Sequence, residues 1–419
     1  MSERRRLFEL IVLGGSVFIL SKAVVSYILD RPWPPTEGNP SWELVLAISY
    51  VGLTLVLIPW YRETLFVLRR NLPLVAMVLL ALLSSLWAQM PGLVLRKSVG
   101  LCGATLLGVA LAVRLSFLDQ LRIMNWMFRI IAVLSLAFVV FLPNLAVTEE
   151  GQWMGVFDHK NAMGSMLGLA VLVEWQRPAE SRGSKILKII AFLLYAVLLL
   201  HSDSVTPRIA LFGAVLLTES YKFATFRVRL PQYAFFVAIS IVVMIGLAFV
   251  FTNGDSIMGI VGRSSNLTGR TEIWGLTLSF IPQRPILGYG YSGFWLGASP
   301  ESFVANRIMR GWIMYSHNGY LEQLLNLGII GLGLTLSFLG IGVKRAIKFS
   351  EHRHSGTAIW PLAFLFYFIL HNTVECSIMI QDIEWALCVS CIAGADPLLF
   401  SFDIQEEDEM PLLPMEEPT

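Results

Sequence analysis

The chain has 419 residues, 55% hydrophobic and only 15% charged, with a mean hydropathy of +0.66. That balance excludes an ordinary water-soluble domain, and a net charge of +1 leaves no basic excess for nucleic acid. The four cysteines, Cys102, Cys376, Cys388 and Cys391, lie in or beside apolar segments, so neither a disulfide framework nor a cysteine metal site is expected.

Apolar runs of about 17 to 25 residues are long enough to cross a bilayer. In chain order they fall at 7–29, 42–60, 72–88, 93–113, 123–143, 160–175, 186–201, 207–219, 232–252, 317–343, 358–372 and 383–400. The expected fold is an all-α integral membrane protein of about 12 transmembrane helices. The first span follows Arg4-Arg5-Arg6 with no small-residue cleavage site after it, so it reads as a retained anchor. The eighth is short and opens on Pro207-Arg208.

Cytoplasmic loops collect Lys and Arg. With the N-terminus inside, every inner segment carries them: Arg4–Arg6, Arg62 to Arg70, Arg114 and Arg122, Arg177 to Lys188, Lys222 to Arg229, and Lys344 to Arg353. That alternation predicts both termini in the cytoplasm. The chain then divides into nine spans over 1–252, a large outward loop over 253–316, three spans over 317–400, and a disordered acidic tail over 401–419. No internal repeat of the two-halved transporter kind is visible.

Four outward stretches concentrate the polar residues. "GVFDHKNAMG" (155–164) opens the sixth span with Asp158, His159, Lys160 and Asn161. A helix cap and a snorkelling lysine explain part of this run, but four consecutive polar residues exceed what a cap needs. "HSDSVTPRIA" (201–210) places Ser202, Ser204, Thr206 and Arg208 where one span ends and the next begins. Arg208 is either a snorkelling end residue or functional, since ionisable groups in membrane segments are costly.

The third stretch, "NLTGRTEIWGLTLSFIPQRPILGYGYSGFW" (266–295), sets Arg270 at the head of a short amphipathic helix and ends in a turn-rich aromatic surface. An arginine fork matches phosphate oxygens, and aromatic rings suit sugar faces or the lipid interface equally. For Arg284, an exposed loop charge is the favoured reading. The fourth, "YSHNGYLEQLLNLGIIGLG" (315–333), stripes His317, Asn318 and Glu322 along the first turns of a span. Gly328, Gly331 and Gly333 lie deeper, where small residues let helices approach closely. His317 is either an interfacial imidazole beside an Asn318 cap or a general base poised for neutral pH.

Taken together, "GVFDHKN", "TGRTEIW", "RPILGYGYSGFW" and "SHNGYLEQLLNLGIIGLG", in that order, resemble the bacterial O-antigen ligase and polymerase superfamily. Within it they look most like exopolysaccharide polymerases of the succinoglycan-producing type. The resemblance covers roughly 150–335. It implies a GT-C-like, metal-independent glycosyltransferase of the inner membrane, without cofactor, working on the periplasmic face. The donor it implies is a glycan on undecaprenyl diphosphate, and the acceptor a second lipid-linked repeat unit, with a chain-length regulator and export complex as possible partners. By the same carry-over His317 is the base and Arg270 a diphosphate contact. Lys160, His159, Arg208, Asn318, Glu322 and Arg284 are the candidate substrate contacts. One departure stands out: the family often has an arginine inside the Ser/Thr cluster after span seven, whereas here Arg208 follows Thr206 and Pro207.

A ligase acting on lipid A-core or protein is the alternative within the enzyme class. A twelve-span transporter or flippase is the alternative outside it, and would bury charges mid-span. Lys22, Arg96, Lys97, Arg129 and Glu174 read instead as lying near span ends or at shallow positions.

Overall fold

The computed structural model describes residues 3–24, 39–179, 181–231, 235, 269–295, 300–309, 313–352 and 357–399. Its helices are α1 (Glu3–Leu20), α2 (Pro40–Leu57), α3 (Tyr61–Arg70), α4 (Leu72–Leu83), α5 (Pro91–Arg114), α6 (Phe117–Phe141) and α7 (Lys160–Gln176), then α8 (Arg182–His201), α9 (Val205–Lys222), α10 (Arg270–Phe280), α11 (Pro300–Ile308), α12 (Gly319–His352), α13 (Trp360–His371) and α14 (Ile383–Gly394). Among the described residues there is no β-strand, only an isolated bridge between Val147 and Trp153. The described residues are those of an all-helical, membrane-spanning protein, and among them six helical stretches are long and apolar enough to cross a bilayer. Eleven of the twelve expected spans coincide with helices; the ninth, 232–252, lies outside the described residues apart from Phe235, as does the acidic tail.

Helix starts follow from sequence. Asn39 accepts from Trp42 N ahead of Pro40, Ser116 accepts from Asp119 N, Ser181 from Ser184 N, and Asp382 from Trp385 N. One element was not expected: 61–70, read as an inner loop, is the amphipathic helix α3, continuous with α2 through a tight turn at 58–60.

α5 lies at the centre, packed against α14 and α2, while α9 packs on α13 and α7, and α12 on α4. Small residues set these distances: a side chain at Gly108 would collide with the Ala386 backbone. Leu193, Leu200, Phe212 and Leu216 on α8 and α9 are exposed, as lipid-facing side chains are. Arg129 and Glu174, expected near span ends or at shallow positions, form a buried two-pronged pair between α6 and α7, at 2.7 and 3.1 Å. Pairing with two hydrogen bonds is what makes such burial tolerable. At one end of the bundle, Arg114–Glu9 and the cluster Arg70–Asp396–Arg345 tie helix termini together. The candidate site residues sit at the other end.

α12, expected as one continuous span, is broken at Gly328, whose φ of 64° and ψ of −163° are non-helical. An unbroken helix would bond Ile329 N to Leu325 O and Ile330 N to Asn326 O. Here the segment 285–290 inserts at the break. Tyr289 N and Gly290 N donate to Leu325 O and Asn326 O, while Ile329 N and Ile330 N donate to Pro285 O and Ile286 O. The backbone groups freed by the break are thus satisfied inside the protein, as a membrane segment requires.

The same insertion corrects the reading of "GYGYSGFW" as an aromatic surface. Tyr289, Tyr291, Phe294 and Trp295 are buried. Tyr289, Phe294 and Trp295 build a second apolar core with Ile273, Phe280 and Leu325, under α10 and α11. Phe294 meets Phe280, Tyr289 and Trp295 at centroid distances of 5.2, 4.9 and 4.9 Å. The rings face inward because the loop must cover the break, which leaves them no sugar or lipid to face.

Candidate active site

His317 is held by its neighbours rather than by a helix. Its φ of 51° lies in the left-handed region, uncommon for a side-chain-bearing residue but several-fold enriched for His. On one side, Ser316 N donates to Glu322 Oε2 at 2.8 Å, Ser316 Oγ to Asn318 O at 2.9 Å, and Trp274 Nε1 to Ser316 O at 3.0 Å. On the other, Asn318 Oδ1 accepts from Tyr320 N and Leu321 N and starts α12. Gly319 N donates to Asn372 O and Glu375 O, an approach that a Cβ would block against the Asn372 side chain. So each letter of "SHNG" has a local task, and the imidazole projects from a fixed backbone beside Tyr315, with ring centroids 4.4 Å apart.

Its partner is Glu375, in the turn between α13 and α14. Glu375 Oε2 lies 3.4 Å from His317 Nδ1, and Oε1 accepts from Arg270 Nη2 at 2.5 Å. Burial alone would raise the Glu375 carboxyl. The hydrogen bond from His317 and the charges of His317, Arg270 and His371 outweigh it and hold the carboxyl below the usual glutamate range. His317 Nδ1 thus faces an ionised carboxylate, and in a neutral ring whose proton sits on Nδ1 toward that carboxylate, Nε2 is the acceptor. Asn372 shapes the turn that carries Glu375: its Oδ1 accepts from Ser377 N and Ile378 N, and its Nδ2 donates to Phe368 O.

Arg270 is buried at the first turn of α10 and also donates Nη1–H to Thr206 Oγ1 at 2.7 Å. These two contacts engage one N–H on each terminal nitrogen of a five-donor guanidinium, so donors remain for an anion. Thr206 lies in the first turn of α9, just after the α8–α9 turn. In that turn Ser204 Oγ donates to Asn161 Oδ1 at 3.1 Å, and Arg208 Nε donates to Ser204 O at 2.8 Å with Asp203 3.6 Å from Nη2. His159 caps α7 by accepting from Asn161 N at 3.1 Å. Burial pushes its ring below the ordinary histidine value, although the charges of Asp158 and Glu375 pull the other way. Lys160 follows it, half-buried, at the head of α7.

The contacts thus run in a chain from 159–161 through 204–208 to Arg270, Glu375 and His317. All four expected outward stretches meet here through His159, Asn161, Thr206, Arg208, Arg270 and His317. Two candidates stand apart. Glu322 is buried and fully engaged, with Oε2 taking Ser316 N and Trp295 Nε1 and Oε1 taking Asn326 Nδ2, so it braces the His317 segment. Arg284 lies over the Tyr289 ring at 4.9 Å, at the end of α10. Glu375 and Asn372 were missed. The signal was the polar run "HNTVEC" (371–376) on a short loop between two apolar spans, a place where an acid has no bulk reason to be.

Residues 190–336 match the family model described as O-Antigen ligase, a segment that holds Arg208, Arg270, His317 and the Gly328 break. The chain is also 24% identical over 310 residues to the exopolysaccharide production protein ExoQ of Rhizobium meliloti (strain 1021), covering 69% of this chain and 68% of that protein. By that match residues 190–336 of this membrane protein are similar to the O-antigen ligase family.

Proposed function

We propose that the protein polymerises oligosaccharide repeat units carried on undecaprenyl diphosphate into exopolysaccharide, at the periplasmic face of the bacterial inner membrane. The observation that carries this reading is the Glu375 bridge, which joins a free-edged imidazole to a buried arginine with donors to spare. A base and an anion contact fixed to one carboxylate fit a single transfer event, with the attacked carbon between them.

In the proposed reaction His317 Nε2 takes the proton of an acceptor sugar hydroxyl as that oxygen bonds to the donor's anomeric carbon. The bond from that carbon to the diphosphate oxygen breaks, and its electron pair leaves with undecaprenyl diphosphate. Negative charge grows on that leaving group, and Arg270, with Lys160 and Arg208 from the adjoining turns, stabilises it. Removing one such preorganised donor typically costs ~100- to 1000-fold in rate. Glu375 stabilises the imidazolium as it forms.

The family description favours a second reading, a ligase that moves a finished glycan onto a lipid A-core or protein acceptor. One experiment separates them: His317→Ala in the native host, with membrane abundance checked by immunoblot. Loss of high-mass polymer with single repeat units accumulating on lipid supports the polymerase. Loss of O-chain from lipopolysaccharide supports the ligase. Polymer of unchanged length would remove His317 from the mechanism.

A further inference from the structure

A second group of cations stands at the same end of the bundle, across the His317 segment from Arg270. Lys97 is on the protein-facing stripe of α5, in register with Leu93, Gly100 and Ala104, all buried, while Leu95 and Val99 on the opposite side are exposed. A lysine on the lipid-facing stripe could snorkel to head groups, but one on this stripe faces protein. Loops wall it on both sides. Gly293 packs on Val94, one turn nearer the α5 start, and Gln381 packs on Gly100, one turn further in. Lys22 follows the end of α1, at a turn tied to the His159 loop by Val24 N donating to Val156 O at 2.9 Å.

Among the described residues, neither Lys22 nor Lys97 makes an ion pair or side-chain hydrogen bond. Among the described residues, the charges that bear on Lys97 are Lys22 and Arg96, of its own sign, and Glu322. Glu322 spends both oxygens on Trp295, Ser316 and Asn326. Arg96 is bridged to Glu43 at 3.4 Å. The other acid facing this group is Asp382, whose Oδ1 caps α14 through Trp385 N. Burial pushes its carboxyl up to about 7 despite the pull of Lys22. Two half-buried ammonium groups therefore lie within one another's field with no carboxylate of the described residues bonded to either, an arrangement that a multiply charged anion would relieve.

We propose that Lys22 and Lys97 form a second anion site, which takes the phosphate groups of the acceptor lipid while the Arg270 side takes those of the donor. This rests on the reading above, in which both substrates are lipid-linked. It supplies what that reading lacks, a place for the second diphosphate on the other flank of His317.

The test counts short polyprenyl diphosphates, with farnesyl diphosphate as probe, bound to the purified full-length protein by native mass spectrometry. The wild type should hold two, Lys22→Gln/Lys97→Gln one, and Arg270→Gln one. Lys22→Arg/Lys97→Arg should restore two, and matched thermal melts exclude a folding failure. A double Gln variant that still binds two overturns the proposal and leaves the Arg270 site standing. Displacement of the lysine-dependent molecule by equimolar phosphatidylglycerol also overturns it, since the site would then take any lipid phosphate. An unchanged count in Arg270→Gln, with the lysine-dependent molecule intact, would sink the donor assignment and uphold this site.

Discussion

Glu375 follows His317 by 58 residues, yet its Oε2 lies 3.4 Å from His317 Nδ1. Its other oxygen holds Arg270, 105 residues earlier in the chain. Everything expected of the site depends on that carboxylate being ionised and in place.

A glutamate held below its usual range contributes stability that is fully present above the unfolded value, near ~4.3. That contribution is lost as pH falls through the lower folded value. Glu375→Gln should therefore be less stable than the wild type at neutral pH, and the gap should close as acidification passes below the unfolded glutamate value and on through the lower folded one. Thermal melts across that range decide it: parallel decline of the two proteins would mean the carboxylate is not charged in the fold. Transfer by the variant should slow roughly 100-fold, the low end of what a positioned base contributes.

Arg270→Lys should be nearly as damaging as Arg270→Gln, with transfer down ~100- to 1000-fold. A single ammonium cannot span Thr206 and Glu375 and also present a planar fork to phosphate. Arg284→Ala, which removes only the stack on Tyr289, should cost stability no more than about 1 kcal/mol and leave transfer intact. Conversion of radiolabelled lipid-linked repeat units by membranes carrying each variant is the readout.

His159 supplies a pH-dependent cap. Its Nδ1 accepts from Asn161 N only while that nitrogen is unprotonated, and burial favours the neutral ring. A histidine with a lowered folded value loses its contribution as pH falls below the unfolded value near ~6.5 and on through the folded one. Hydrogen exchange over 155–161 should accelerate in the wild type relative to His159→Asn as pH drops through that window. Asn caps without titrating, so equal protection in both proteins at every pH would contradict the assignment.

Gly328→Ala should destabilise the protein even though the residue touches no substrate. Its φ and ψ fall where almost only glycine goes, at roughly 1–3 kcal/mol for any other residue, and the new Cβ would collide with Ile286 O. Melting of detergent-purified variants should show Gly328→Ala well below Gly333→Ala, whose Cβ meets nothing.

The Arg129–Glu174 pair offers a control unrelated to the site. Removing either partner should cost roughly 3–5 kcal/mol, because the other charge is left buried. Arg129→Met with Glu174→Leu should recover most of that loss, with polymer yield following stability rather than chemistry.

Hydropathy and Lys/Arg spacing made the helices legible, because each apolar run must satisfy its own backbone in lipid whatever surrounds it. The motif residues were legible for a similar reason: His317, Arg270 and Arg208 are charged or titratable where a membrane protein avoids such groups. Two expectations failed on side-chain context. Glu322 sits next to His317 on the helix stripe, but Trp295 and Asn326 claim its oxygens, and the aromatics of "GYGYSGFW" turn inward to seal a broken helix.

What the sequence alone determined is therefore the all-helical membrane class and the positions of most helices, and it offered His317, Arg270 and Arg208 as candidates for the site. The break at Gly328 belongs to the tertiary structure, since it exists only because residues 285–290 supply four replacement backbone bonds from elsewhere in the chain. So does the pairing of His317 with Glu375. Local periodicity carries no information about which loop will meet which, and a buried carboxylate finds its partners only when packing has excluded water around it.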